Sequence, residues 1–166
     1  MSARPPADAV VALRSLGRRW TALLAGLGED ESPDDLAHRV GPDGHSALDG
    51  AVRATRTLAL LGRAVDQVLV EDDPILHPAV GDPAQRAWDG QAAGSVDDAI
   101  AELVHEADRL ADRAGRVSAS EWSRRARVAG ADADVGALDV LWGAVDSAVA
   151  ELSAAERTLR EVRGRS

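Results

Sequence analysis

The stretch "VLWGAVDSAVAEL", residues 140–152, decides the fold. Its apolar side chains recur at steps of three and four residues, which places them along one face of an α-helix. Asp146 lies inside this apolar run, and Ala150 follows it four residues later. In a helical projection, Asp146 lies about 110° from the centre of the apolar stripe. The stretch therefore predicts an amphipathic helix with Asp146 at its hydrated edge, and a role for Asp146 as a metal ligand is the alternative. The stripe is formed by Leu141, Val145, Val149 and Leu152.

Three other parts of the chain show the same periodicity, and the four together define the predicted architecture. The first predicted helix spans about residues 7–27. The second begins at "SALD", where Ser46 can cap the helix and Asp49 holds the reciprocal position of a capping box, and it ends near Val70. The third begins at "SVDD", residues 95–98, and the fourth begins after Asp134. Four amphipathic helices of about twenty residues or more predict an all-α four-helix bundle.

The connecting segments predict the order of the helices in the bundle. Residues 71–94 hold three prolines and cannot form one continuous helix. A connection of that length can cross the bundle, so we expect the second and third helices to run roughly parallel. Between the first two helices, Ser32 and Pro33 favour the start of a short helix. The segment 118–134 opens on "SASEW", another capping-box signature.

Composition limits the class of protein and its partners. The 166 residues predict a single domain, 1–166. The net charge of -9 argues against a nucleic-acid partner, and the basic cluster "SRRARVAG" at 123–130 is interpreted as a solvated or locally paired loop. The chain has no cysteine, no apolar run long enough for a membrane span, and no hydrophobic signal core at its start. We therefore expect a cytoplasmic protein without a thiolate nucleophile.

Two segments resemble the DinB-like superfamily, which includes the relatives of mycothiol-dependent maleylpyruvate isomerase. The first is "PDGHSALDGAVRATRTL" at 42–58, a polar turn that leads into the second helix. The second is "SASEWSRRARVAGADADVGALDVLWGAVDSAVAELSAAERTL" at 118–159, which is similar to the family's Glu-Trp step, short extended loop and final helix. The resemblance implies a four-helix bundle with a long crossover between helices 2 and 3. Together with the wide apolar stripes, it also predicts a homodimer.

The resemblance further implies a divalent-metal site built from three histidines, one on helix 2 and an H-x-x-x-H pair on the last helix. In this chain the positions of the pair hold Asp146 and Ala150, and the fourth helix contains no histidine. Gly50 and Arg53, but no histidine, lie near the expected helix-2 position. We therefore expect no cofactor and a degenerate metal site. A rebuilt site for Zn²⁺ or Ni²⁺ is the alternative. Its candidate ligands are Asp146, Asp49 and His45, with Glu151 nearby.

The remaining histidines and the tryptophans favour structural roles. His105 closes a Glu-x-x-His step with Glu102, but a di-iron site needs a second copy of that step, and the chain has none. His38 and His77 lie in connecting segments and are interpreted as surface imidazoles. The tryptophans are interpreted as large core side chains, with a tryptophan-lined ligand pocket as the second alternative; they are Trp20, Trp142, Trp88 and Trp122.

Two functions stay open from the sequence. The first is a non-catalytic or small-molecule-binding bundle that has lost the metal site of its relatives. The second is a divalent-metal-dependent enzyme, of the thiol transferase or hydrolase type, with a rebuilt Asp/His site.

Overall fold

The computed structural model describes residues 3–25 and 32–165. Four long helices carry the architecture, and short helices and strands fill the connections between them. The helices are α1 (Pro6–Ala25), α2 (Pro33–His38), α3 (Ala47–Val70), α4 (Pro78–Gly81), a 3-10 helix (Pro83–Arg86), α5 (Val96–Ala114), α6 (Ala119–Trp122) and α7 (Ala137–Arg163). The strands are β1 (Ile75–Leu76), β2 (Arg125–Val128) and β3 (Asp134–Gly136).

The four predicted helices are confirmed as α1, α3, α5 and α7. The predicted end of the first helix, Leu27, lies outside the described residues. At the start of α3, the backbone N–H of Asp49 donates to Ser46 Oγ at 3.1 Å, and the N–H of Ser46 donates to Asp49 Oδ2 at 2.8 Å. This reciprocal pair confirms the predicted capping box. At α2, Pro33 is the first helical residue as expected, but the side chain of Ser32 makes no capping hydrogen bond.

The long crossover between the second and third long helices is also confirmed, because α3 and α5 lie side by side and run parallel. Gly62 lies against Leu110, and one turn further along α3 the carboxylate of Asp66 accepts from Arg113 Nε at 2.8 Å. Residue numbers therefore rise together along the two helices. The 71–94 segment returns the chain to the end of the bundle at which α3 begins, as its length and prolines predicted.

Two other pairs of neighbouring helices, α3 with α7 and α1 with α5, are antiparallel. α3 packs on α7, with Arg53 opposite Glu151 and Leu61 opposite Gly143. α1 packs on both α5 and α7 and lies across the bundle from α3. It runs antiparallel to α5, with Arg14 beside Asp112, and therefore parallel to α7. At the crossing of α1 and α5 the backbones approach closely. A Cβ atom on Gly17 would lie only 2.5 Å from Cγ2 of a valine on α5.

The sequence pattern predicts no strands, but the structure contains a small sheet in the order β1-β2-β3. β2 is parallel to β1 and antiparallel to β3. Along β2, Ala126 and Val128 are buried while Arg125 and Arg127 are exposed, which is the alternation of a strand with one face on the core. Strands this short give too few alternating positions for a clear period-two signal.

The basic cluster at 123–130 thus contains a strand and a capping arginine, so its interpretation as a loop is wrong. The predicted local pairing with carboxylates is present, since Arg124 lies 3.6 Å from Asp72 and Arg127 lies 3.2 Å from Asp73. Arg124 donates from Nε to the carbonyl of Val68 at 2.8 Å and from Nη2 to the carbonyl of Glu71 at 2.6 Å. These are backbone acceptors at the C-terminal end of α3, where helical carbonyls lack intrahelical partners and attract cations. The cluster therefore ties the segment before α7 to the end of α3.

The core consists almost entirely of alanine, leucine and valine, with two tryptophans as its largest side chains. Trp20 and Trp122 are buried, in agreement with their predicted role. Trp142 is half-buried, donates from its indole nitrogen to the carbonyl of Arg4 and lies under that guanidinium. No helix within the described ranges has the length and apolar character that crossing a membrane requires.

Candidate functional site

An ion pair between α3 and α7 lies near the helix-2 position at which the resemblance implies a metal ligand. Arg53 Nε donates to both carboxylate oxygens of Glu151 at 3.1 Å, and Arg53 Nη2 lies 3.0 Å from Glu151 Oε2. The two side chains are only 19% and 26% exposed. The remaining nitrogen, Nη1, is buried without a hydrogen-bond partner among the described residues. This part of the bundle therefore carries the positive charge of Arg53, and Glu151, the carboxylate paired with it, is not free to bind a metal ion.

The neighbouring position on α3, Gly50, brings the two helices into close contact. A Cβ atom on Gly50 would lie 3.5 Å from the carbonyl oxygen of Glu151, 3.5 Å from Trp20 Cη2 and 3.6 Å from Ala155 Cβ. An alanine would fill the space completely, so an imidazole at this position would have to displace the tryptophan or α7. Neither Gly50 nor Arg53 thus provides an open site for a metal.

Asp49 is buried, with 2% of its surface exposed, and both of its carboxylate oxygens are bound to backbone N–H groups. Oδ2 accepts from Ser46 in the capping box, and Oδ1 accepts from Ala92 in the crossover at 2.7 Å. The positive end of the α3 dipole also favours a carboxylate here. Asp49 therefore fastens the crossover to the start of α3.

Asp146 lies on the exposed edge of α7, away from Asp49. Its carboxylate accepts two hydrogen bonds from Arg4, at 2.8 and 2.9 Å, and its side chain is 57% exposed. His45 is half-buried in the turn before α3, where its backbone N–H donates to Asp43 Oδ1. The structure does not bring the three candidates together: across residues 3–25 and 32–165, no group of three or more His, Asp or Glu side chains is placed to hold a metal ion.

Two of the other histidines form hydrogen bonds with backbone groups, and the third lies at the edge of a groove. The distance between His38 Nε2 and the carbonyl oxygen of Gly94 is 2.8 Å. His77 caps α4, because its Nδ1 accepts from the N–H of Ala79 at 3.1 Å. His105 lies at the edge of the groove described next. No helical or strand periodicity marks these placements, because each depends on a neighbour distant in sequence or on a turn.

A groove of about 730 Å³ runs between the parallel helices α3 and α5. Its floor is apolar, and its rim carries paired charges, including Asp66, Arg109 and Arg113. The helical pattern does not show this groove, because small side chains at the contact of two separate helices create it. The floor is formed by Leu58, Ala59, Gly62, Ala101, Val104 and Leu110.

One solved structure defines the fold by comparison. YfiT from Bacillus subtilis, described as a probable metal-dependent hydrolase with an unusual four-helix bundle topology, superposes on the chain with a TM-score of 0.71. The match covers 95% of this chain and 89% of that one at 11% sequence identity. No protein-family model and no curated protein matches the sequence. The likeness shows that the chain has the four-helix-bundle fold of YfiT.

Proposed function

We propose that the chain is a non-catalytic, small-molecule-binding four-helix bundle in which an ion pair has replaced the metal centre of its structural relatives. The observation that carries this proposal is the pairing of Arg53 with Glu151 across α3 and α7. The position that would supply a ligand instead supplies a permanent cation, because an arginine side chain does not lose its proton in proteins.

The charges at this position support the proposal. A divalent cation beside Arg53 would be repelled by the guanidinium, and this repulsion is strong in the low-dielectric interior of the bundle. Glu151 would have to leave Arg53 to bind such an ion, and a buried guanidinium would then remain without any partner. α7 has no imidazole to compensate.

The α3–α5 groove supports a role in binding. Its volume of about 730 Å³ lies within the range of about 300–1,000 Å³ that is typical of small-molecule pockets. An apolar floor with a few charged groups at the rim is also the usual composition of such a site. The groove lies on a different face of α3 from Arg53, so ligand binding there does not require a metal.

The alternative is a divalent-metal enzyme that uses Asp146, Asp49 and His45. For this site to form, Asp146 would have to leave Arg4, and Asp49 would have to give up two backbone hydrogen bonds. The contacts therefore favour the metal-free proposal. A homodimer and a cytoplasmic location stay predictions.

The metal content of the untagged protein tests the first half of the proposal. We expect mass spectrometry to find far less than one metal ion per chain. A ligand that binds only the folded state raises the Tm, so we also expect EDTA, Zn²⁺ and Ni²⁺ to leave the Tm unchanged. Asp146→Ala should melt within about 1 °C of the unchanged protein. If the protein contains one metal ion per chain, and Asp146→Ala removes both that ion and the rise in Tm that the metal causes, the enzyme alternative is correct.

Filling the groove tests the second half. The neutral fluorescent probe N-phenyl-1-naphthylamine should bind saturably, and Gly62→Leu should weaken its binding about tenfold or more by occupying the groove floor. Gly62→Ala is the matched control, because it changes helix propensity in the same direction but leaves most of the groove open. Equal binding by the two variants, or the absence of saturable binding, would contradict the proposal.

A further inference from the structure

A second cavity, of about 400 Å³, lies between the outer face of α3 and the crossover segment that contains α4 and the 3-10 helix. Its lining holds three arginines and a histidine, and it holds no carboxylate, although the chain has a net charge of -9. We call this cavity the basic pocket. Its charged and polar lining is formed by Arg56, Thr57, Arg63, His77, Gln85 and Arg86.

None of the three arginines of the basic pocket forms an ion pair within the described parts of the chain. Arg56 lies over the ring of Trp88, with its Cζ 5.8 Å from the centroid, and Arg63 forms no ion pair there. Arg86 donates from Nη1 to the carbonyl of Val80 at 3.4 Å. Burial lowers the pKa of its guanidinium, and the charge of Asp82 only partly opposes this shift. By contrast, Arg53 and two arginines at the rim of the α3–α5 groove, Arg109 and Arg113, are paired with carboxylates.

The carboxylate that interacts with Arg86, Asp82, does not line the pocket. Asp82 accepts from the N–H of Ala84 through Oδ1 and from Gln85 Nε2 through Oδ2, so both of its oxygens are bound within the 3-10 helix. His77 adds a donor, because Nδ1 accepts the N–H of Ala79 and the ring proton of the neutral imidazole must then lie on Nε2. The basic pocket therefore presents a set of N–H donors with an excess of positive charge.

The basic pocket and the α3–α5 groove meet at one residue. Ala59 lines both cavities. Arg56, Ala59 and Arg63 recur at steps of three and four residues, so they lie along one face of α3. Ala59 is partly exposed, and a methyl group is the smallest side chain, short of glycine, that could lie at the boundary of the two cavities.

We propose that the basic pocket binds the carboxylate or phosphate group of an amphipathic small molecule whose apolar part lies in the α3–α5 groove. The apolar half of this inference rests on the proposed function of the groove. Guanidinium groups bind carboxylate and phosphate oxygens through short, charge-assisted hydrogen bonds, which are about twice as strong as neutral ones. The ligand class is thus an apolar chain or ring that carries one oxyanion.

Calorimetric titration with octanoate, octyl phosphate and 1-octanol tests the inference, because the three share a chain and differ in the head group. We expect the two anions to bind about tenfold or more tightly than 1-octanol. Arg63→Gln and Arg86→Gln should each weaken anion binding about tenfold and leave 1-octanol unchanged. Arg157→Gln is the matched control, since Arg157 is exposed on α7 and lines neither cavity. The preferred anion identifies the head group as a carboxylate or a phosphate.

The outcomes separate this inference from the proposed function. If 1-octanol binds as tightly as octanoate, or if Arg157→Gln weakens octanoate as much as Arg63→Gln does, the basic pocket is not the anion site. If Gly62→Leu abolishes 1-octanol binding while both glutamine variants retain octanoate, the groove binds its ligand and the inference is wrong. If octanoate binding depends on Arg63 and Arg86 but not on Gly62, the basic pocket is upheld and the groove is not the ligand site.

Discussion

Replacement of Asp49 by alanine should destabilise the protein far more than the loss of an exposed carboxylate would. The carboxylate is 2% exposed and accepts the N–H groups of Ser46 and Ala92 at 2.8 and 2.7 Å. A hydrogen bond to a charged group contributes about 1.5–3 kcal/mol, and alanine would leave both donors without this acceptor. The carboxylate's own desolvation offsets part of that sum, so we expect the free energy of unfolding to fall by about 3–5 kcal/mol. In a chain of this size the Tm should fall by about 10 °C.

Asp98 provides the matched control, because it holds the same third position of α5. Its backbone N–H donates to Ser95 Oγ at 3.1 Å, but its side chain is exposed and makes no hydrogen bond to the described part of the chain. Asp98→Ala should therefore lower the free energy of unfolding by no more than about 0.5 kcal/mol. Urea denaturation followed by far-UV circular dichroism measures both variants. Equal losses for Asp49→Ala and Asp98→Ala would refute this explanation of Asp49.

Hydrogen exchange locates the effect in the crossover. In the unchanged protein the Ala92 amide should exchange slowly, since its hydrogen is held by a buried carboxylate. In Asp49→Ala this amide should exchange rapidly, while amides in the middle of α7 keep protection that matches the lower global stability. Retained protection of Ala92 would show that other contacts hold the crossover in place.

Three further predictions concern the ion pair, two glycines and one acidic cap. Arg53→Met should lower the free energy of unfolding by about 2 kcal/mol, because it leaves Glu151 without its partner. The second substitution Glu151→Leu should restore most of that loss. Urea denaturation of the single and double variants checks this, and a double variant no more stable than the single one would contradict it. Gly17→Ala should be destabilising by about 1–3 kcal/mol, because the new Cβ would lie 2.5 Å from Cγ2 of Val104. Gly62→Ala should be stabilising by about 0.5–1 kcal/mol, because its Cβ has room and alanine favours the helix. Thermal melts in the opposite order would refute the close packing of α1 on α5. Glu121 accepts from the N–H and hydroxyl of the serine that caps α6, which lowers its pKa, so Glu121→Gln should reduce stability above the ordinary glutamate pKa of about 4.3. That difference should vanish as pH falls through the lowered pKa in the folded state, and a pH-independent difference in urea midpoints would be inconsistent with the carboxylate's role.

The capping boxes show how far local sequence signals reach. Ser46 and Asp49 lie three residues apart, and their reciprocal hydrogen bonds form within one helical turn, so the pattern predicts the start of α3 directly. The same reasoning holds for the capping box at the start of α6. The position of Asp146 at the edge of α7 follows from the helical projection as well, but its partner Arg4 lies 142 residues away and no local pattern indicates it.

The β2 segment shows where local signals fail. "RARV" reads as a charged loop in isolation, since two of its four residues are arginines. The segment becomes a strand because β1 and β3 bind it on both sides and because Ala126 and Val128 find the core. Pairing with a strand from the crossover is a tertiary contact, and it overrides the weak intrinsic preference of a short segment.

The sequence by itself determined the helices, their caps, the apolar stripes and the long crossover, because each depends on residues within a few turns of one another or on the length of one connection. Tertiary structure alone decided which charges meet. Arg53 faces Glu151 across 98 positions, Asp49 reaches the N–H of Ala92 across 43, and Ala59 lies where two cavities adjoin. These juxtapositions depend on the axial register and rotation of each helix against its neighbours, which the packing of the whole core sets and no single stretch encodes.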